Sequence, residues 1–155
     1  HMRSLGYLEI GLLGESMGGT VVTKAYDESI KAVIFWYSTF NFSKDAFMNY
    51  YRETEQKELK EKGYVLTDGY KVGKKFIDQI PTIDVEKETS KMVCPVLFLH
   101  GDSDTDVPYG QSVEAFARAH EPKEFNLIKG AEHCFGNEQE EVINLTVDFL
   151  DRHFK

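Results

Sequence analysis

A serine, an aspartate and a histidine, the three side chains that can pass one proton along a relay, occur in that order along the chain. Ser16 lies in Gly14-Glu15-Ser16-Met17-Gly18-Gly19, after the apolar run Leu8–Leu13 and before a helical pattern through Val21, Val22 and Ala25. A serine at a sharp strand-to-helix turn takes a strained backbone conformation, and bulky neighbours two positions away would clash. Gly14 and Gly18 therefore predict such a turn, with the hydroxyl projecting from the C-terminal end of the strand. The backbone N–H of Met17, at the start of the helix, points where an oxyanion would form. A phosphate cradle is the weaker reading, because no lysine stands at a phosphate-loop position.

His100-Gly101-Asp102-Ser103-Asp104-Thr105-Asp106-Val107-Pro108 follows another apolar run. A carboxylate just past a strand end can accept from the Nδ1–H of a histidine and fix its tautomer. Three aspartates compete for this role, and Asp104 is the choice. Asp102 is expected to brace the turn, and Asp106 to cap the helix after Pro108. Gly130-Ala131-Glu132-His133-Cys134-Phe135 follows the fourth apolar run and precedes the last helix. From that loop His133 can act first as general base and then as general acid. His100, at a strand end, is expected to make a structural hydrogen bond, while His120 lies on a helix stripe and His153 near the chain end. The order Ser, Asp, His, each after its own strand, favours a triad over three unrelated residues.

These residues need strands to carry them. Leu8–Leu13, Ala32–Tyr37, Cys94–Leu99 and Phe125–Ile128 are four short apolar runs, and the second and third are almost continuously apolar. That pattern predicts parallel strands covered on both faces. Two helical stripes follow the later runs. One is Tyr109, Val113, Phe116, Ala117 and His120; the other is Ile143, Val147, Leu150 and Phe154, widened by Val142, Leu145 and Phe149. Alternating strands and helices predict an α/β fold with about four parallel strands flanked by helices.

Residues 41–92 are too long for a simple connection and predict a subdomain inserted between the second and third strands. Ser43 is expected to cap a helix carrying Phe47, Met48, Tyr50 and Tyr51, which turns polar through Arg52–Lys62. Thr67-Asp68-Gly69-Tyr70 predicts a hairpin, and Phe76, Ile77 and Ile80 before Pro81 a short helix. The insertion reads as a cap over a site. Its aromatics Phe47, Tyr50, Tyr51 and Tyr64 are candidates to line an acyl or aryl pocket, although aromatics at helical spacing serve equally well as core.

The 155 residues suit one domain, read here as 3–155, with His1-Met2 taken as a cloning remnant. A 41% hydrophobic and 28% charged composition indicates a soluble globular chain. The net charge of -8 argues against a nucleic-acid partner, which would require a basic patch. No apolar run approaches the ~20 residues of a membrane span, and no signal-peptide pattern is visible. Cys94 and Cys134 match neither a disulfide framework nor a metal motif, and read as reduced thiols of a cytoplasmic protein.

From Leu8 to the C-terminus the chain resembles the α/β-hydrolase family, and within it the bacterial carboxylesterases of the cinnamoyl/feruloyl-esterase and serine-aminopeptidase-like group. The likeness is carried by Gly14 to Gly19, by Cys94-Pro95 to Val107-Pro108, and by Gly130 to His133. The family pattern H-G-x-x-D-x-x-V-P also puts the acid on Asp104, and a cap between these strands is common in the group. The resemblance implies hydrolysis of a small-molecule carboxylic ester through an acyl-enzyme on Ser16, with no metal or organic cofactor. It leaves open a thioesterase, lysophospholipase or peptidase activity on the same fold. Family members also have several strands before the serine, with a loop that donates a second oxyanion N–H, whereas few residues precede Ser16 here. The expectation is thus a partial α/β-hydrolase fold with N-terminal strands missing. Its apolar first strand would be covered in a homodimer or by a separate N-terminal half. The remaining alternative is an inactive fragment acting as an assembly or binding domain.

Overall fold

The two most continuously apolar runs become the two central strands of a parallel sheet. The computed structural model describes residues 1–41, 52–67, 69–79 and 82–154. After a 3-10 turn at Met2–Leu5 come β1 (Gly11–Glu15), α1 (Gly18–Ala25), β2 (Ala32–Trp36) and α2 (Glu53–Lys62). Next are β3 (Tyr64–Thr67), β4 (Tyr70–Gly73), α3 (Lys74–Gln79) and α4 (Val85–Thr89). The chain ends with β5 (Val96–Gly101), α5 (Gly110–Arg118), β6 (Lys123–Ile128) and α6 (Gln139–His153). The described residues form two compact units, His1–Phe40 with Val85–Lys155, and Asn41–Asp84.

In the larger unit the sheet order is β1-β2-β5-β6, with every pair parallel. β2 and β5 are buried nearly throughout, whereas β1 and β6 are edge strands with mixed exposure. The first strand starts later than Leu8, because pairing with β2 begins at Gly11 opposite Ala32 and leaves Leu8 86% exposed. The third starts at Val96, after Pro95, which has no N–H to give a ladder.

Helices cover both faces of the sheet. Ile34, Leu97, Leu99 and Ile128 pack against Phe135 and against Val142 and Phe149 of α6. Trp36 Nε1–H donates to Thr146 Oγ1 on that helix at 3.0 Å. On the opposite face Phe35 stacks on Phe98 at 5.2 Å, with Phe40 and Phe116 edge-on or tilted around them.

The helical stripes are corrected by this packing. Ile143 and Val147 of α6 are exposed, and Thr146 takes the inward position because its hydroxyl bonds both the Val142 carbonyl and Trp36. On α5 the inward face is Ser112 and Ala115, continued by Ala119, while Tyr109, Val113, Ala117 and His120 are exposed. Small residues let α5 lie close to the sheet, and Ser112 reaches a buried histidine described below.

The smaller unit holds α2, an antiparallel β3–β4 hairpin in register Tyr64 opposite Gly73, and α3. Leu59, Val65 and Ile77 form its core with Val72 packed against them. It ends at Asp84, short of the expected Met92, because Val85, Thr89 and Met92 are buried parts of the larger unit, where α4 packs on α1 and α5. The expected helix from Ser43 through Phe47, Met48, Tyr50 and Tyr51 lies outside the described residues, as do Asp68, Ile80 and Pro81.

Candidate active site

The turn at Ser16 is built by close backbone approach. Ser16 N–H extends the β1–β2 ladder by donating to the Trp36 carbonyl at 3.0 Å, and its own carbonyl accepts from Gly19 and Thr39 N–H. Ser16 then turns into the left-handed region, at φ 49. A Cβ on Gly14 would lie 2.6 Å from the Gly18 carbonyl oxygen, so the strand end admits no side chain there. Gly18, expected to be the second crowded position, faces open space. Gly19 takes that role instead, since its Cβ would lie 2.5 Å from Ser38, a buried residue whose hydroxyl bonds the Gly14 carbonyl. The helix enters turned one residue further round than the motif suggests. Met17 caps α1, and its N–H makes no hydrogen bond to another described residue.

Asp104 and His133 come from neighbouring loops after β5 and β6. The loops are stitched together: Ser103 N–H donates to the Ala131 carbonyl at 3.0 Å, and Asp102 Oδ1 accepts from Gly130 N–H at 2.7 Å. Asp102 thus braces the turn as expected. Asp106 does not cap α5, whose N-cap is Tyr109 with no side-chain bond; its N–H donates instead to Asp104 Oδ1, as does Val107 N–H.

The structure brings Ser16, His133 and Asp104 into one line. His133 Nδ1 is 2.8 Å from Asp104 Oδ2, and its Nε2 is 3.1 Å from Ser16 Oγ. A carboxylate can only accept, so Nδ1 carries the proton and Nε2 is left to accept from the serine hydroxyl. The Asp104 side chain is fully buried, while His133 keeps some contact with solvent.

His100 supports this line from behind, as a fully buried side chain. Its Nε2–H faces the Val107 carbonyl at 2.8 Å and Asp104 Oδ2 at 3.2 Å, and Nδ1 accepts from Ser112 Oγ at 2.7 Å. Burial pushes its pKa down, so it holds Asp104 as a neutral donor. Ser38 and Ser112 were not singled out by the sequence, nor, as part of the site, was Tyr37, whose ring lies 4.7 Å from that of His133. A tyrosine closing an apolar run beside the serine-bearing strand was the available signal, since its ring suits a buried strand and its hydroxyl a site at the strand ends. Among the described residues no group of three or more His, Cys, Asp or Glu side chains could hold a metal ion.

Comparison with known proteins identifies the family and the fold. The model of the prolyl oligopeptidase family matches residues 5–155. The chain belongs to the prolyl oligopeptidase family. This family member is 26% identical over 137 residues to the uncharacterised protein YfhR of Escherichia coli K12, covering 86% of this chain and 41% of YfhR. Est1E from Butyrivibrio proteoclasticus superposes with a TM-score of 0.71 at 24% identity, over 99% of this chain and 66% of Est1E. Est1E has also been solved with ferulic acid bound. The α/β hydrolase GrgF from Penicillium sp. sh18 superposes with a TM-score of 0.72 at 17% identity, over 93% of this chain and 63% of GrgF. The fold of this prolyl oligopeptidase family member is therefore that of an α/β-hydrolase. The chain spans under half of YfhR and under two thirds of both structures.

Proposed function

We propose that the chain hydrolyses carboxylic esters through an acyl-enzyme, with Ser16 as nucleophile, His133 as base and acid, and Asp104 as its orienting carboxylate. The observation that carries this reading is His133 bridging Ser16 Oγ at 3.1 Å and Asp104 Oδ2 at 2.8 Å. Ser16 Oγ attacks the ester carbonyl carbon while His133 Nε2 takes its proton, and buried Asp104 stabilises the imidazolium. The oxyanion is met by Met17 N–H. His133 returns the proton to the departing alcohol. Water, deprotonated by His133, then attacks the acyl-serine, and the proton passes back to Ser16 as the acid leaves.

We infer that the inserted stretch governs which acyl or aryl group is accepted, with Phe47, Tyr50, Tyr51 and Tyr64 as its candidate recognition residues. Its aromatic content supports this, as does the ferulic acid bound by Est1E. We further infer a homodimer in which the outer edge of β1 is covered by a second copy. A separate stretch of polypeptide covering that edge is the alternative, and either would bring the second oxyanion donor. Support comes from the place of β1 at the sheet edge and from Leu13, 45% exposed on it. A cytoplasmic, reducing location fits the free thiols Cys94 and Cys134. No helix among the described residues is long and apolar enough to cross a membrane.

The family match favours a second reading, cleavage of a peptide bond by the same three residues. Release of nitrophenol from short-chain p-nitrophenyl esters, set against release of nitroaniline from peptidyl p-nitroanilides, separates the two. Ester turnover is expected, and Ser16→Ala should lower it by about 10⁴-fold or more. Turnover of the anilides alone would favour the peptidase. Rates equal to those of Ser16→Ala in a folded sample would overturn both.

A further inference from the structure

Asp104 fixes His133 at one atom only. A single hydrogen bond at Nδ1 leaves the imidazole free to rock about that bond, and rocking carries Nε2 away from Ser16. A second contact has to remove this motion, and the ring of Tyr37 makes one. The Tyr37 ring lies 4.7 Å from the His133 ring at an interplanar angle of 66°. Tyr37 is itself held on all sides. Its ring packs edge-to-face on Phe135 at 4.8 Å, its N–H donates to the Leu99 carbonyl at 2.8 Å, and the residue is 4% exposed. Its hydroxyl donates to the carboxylate of Glu15, the residue that precedes Ser16.

We propose that Tyr37 is a positioning residue for proton transfer: its ring holds the His133 imidazole against Ser16, and Glu15 anchors its hydroxyl to the nucleophile's own strand. This rests on the reading of Ser16 and His133 as nucleophile and base.

Two further observations agree with it. Tyr37 takes a left-handed backbone conformation at φ 36, which is unfavourable for a residue with a side chain. Such a conformation persists where the surrounding structure fixes the residue firmly, as the contacts of Tyr37 do. The hydroxyl also stays protonated, since burial first, then the bond to Glu15 and the neighbouring Cys134, push its pKa up. Tyr37 therefore acts through packing and its anchor, and gives up no proton of its own.

The test compares Tyr37→Phe, which keeps the ring and loses the anchor, with Tyr37→Leu, which loses both. Thermal melting first shows that each variant is folded. Tyr37→Leu is expected to lower kcat by about 10- to 100-fold with KM within about twofold, and Tyr37→Phe to recover most of the loss. Histidine side-chain NMR gives a readout independent of turnover: the His133 Nδ1–H resonance should persist in Tyr37→Phe and broaden or vanish in Tyr37→Leu. An unchanged resonance in folded Tyr37→Leu would overturn the proposal, and so would an unchanged kcat in an active enzyme. Should Tyr37→Leu fail to fold, Tyr37→Met takes its place as the ring-less variant with the same expectations. If the wild type turns over no faster than Ser16→Ala while the resonance still depends on the ring, the catalytic reading falls and the positioning contact stands.

Discussion

Asp104 shares its two oxygens among four donors: the N–H groups of Asp106 and Val107 on Oδ1, and His133 and His100 on Oδ2. Because the side chain is fully buried, each of these bonds is needed to hold a charge there. His100 is the member whose contribution changes with acidity. Burial holds its folded pKa below the usual 6.5, so in mild acid the unfolded chain binds a proton that the native chain does not. Its contribution to stability is therefore present above pH 6.5 and is lost as pH falls below it. Urea unfolding between pH 7 and 5 should show stability falling by up to about 1.4 kcal/mol per pH unit from this residue. In His100→Gln, less stable at pH 7, that dependence should be shallower; parallel curves would assign the slope elsewhere. At this scale the residue types were legible, because serine, aspartate and histidine announce their chemistry. Tyr37 was legible only as the polar end of an apolar run, which reads as strand until its neighbours in space are known.

Among the elements, the β1–α1 turn shows what a motif states and what it leaves out. The glycines around Ser16 predicted a tight turn, and the turn forms, yet only Gly14 and Gly19 are crowded. Which glycine faces the sheet depends on how far α1 is rotated as it leaves the strand, and that follows from packing on Phe35 and Ser38. Gly19→Ala should destabilise by about 1–3 kcal/mol, because buried Ser38 has nowhere to go. Gly18→Ala should stabilise by about 0.5–1 kcal/mol, since it fills open space in a helical turn. Denaturant midpoints of the two variants check both signs. Strand identity and order of chemistry were legible for the same reason as the core: β2 and β5 are apolar because helices cover both their faces. The helix faces were less so. α6 buries Thr146 in place of Ile143 and Val147 because a hydroxyl with two partners packs inward at little cost, which hydrophobic periodicity does not register.

Over the whole molecule, the parallel sheet gathers the ends of β1, β2, β5 and β6 on one side, and Ser16, Asp104 and His133 all come from loops at those ends. The opposite consequence of an open sheet is its free edge. Light scattering at micromolar concentration should give the mass of a dimer, and Leu13→Lys, which puts a charge on the edge strand, should give a monomer. A wild type that remains a well-behaved monomer would remove the homodimer from the proposal. The 41–84 unit has a core of its own in Leu59, Val65 and Ile77, and the line from Asp104 to Ser16 is drawn from residues of the larger unit. Under the proposed reading, what the chain reacts with and how it reacts are inherited on different stretches of sequence. The inserted stretch could then lengthen, shorten or drift while the line from Asp104 to Ser16 keeps its supports, so a new preference would evolve without the chemistry being invented again.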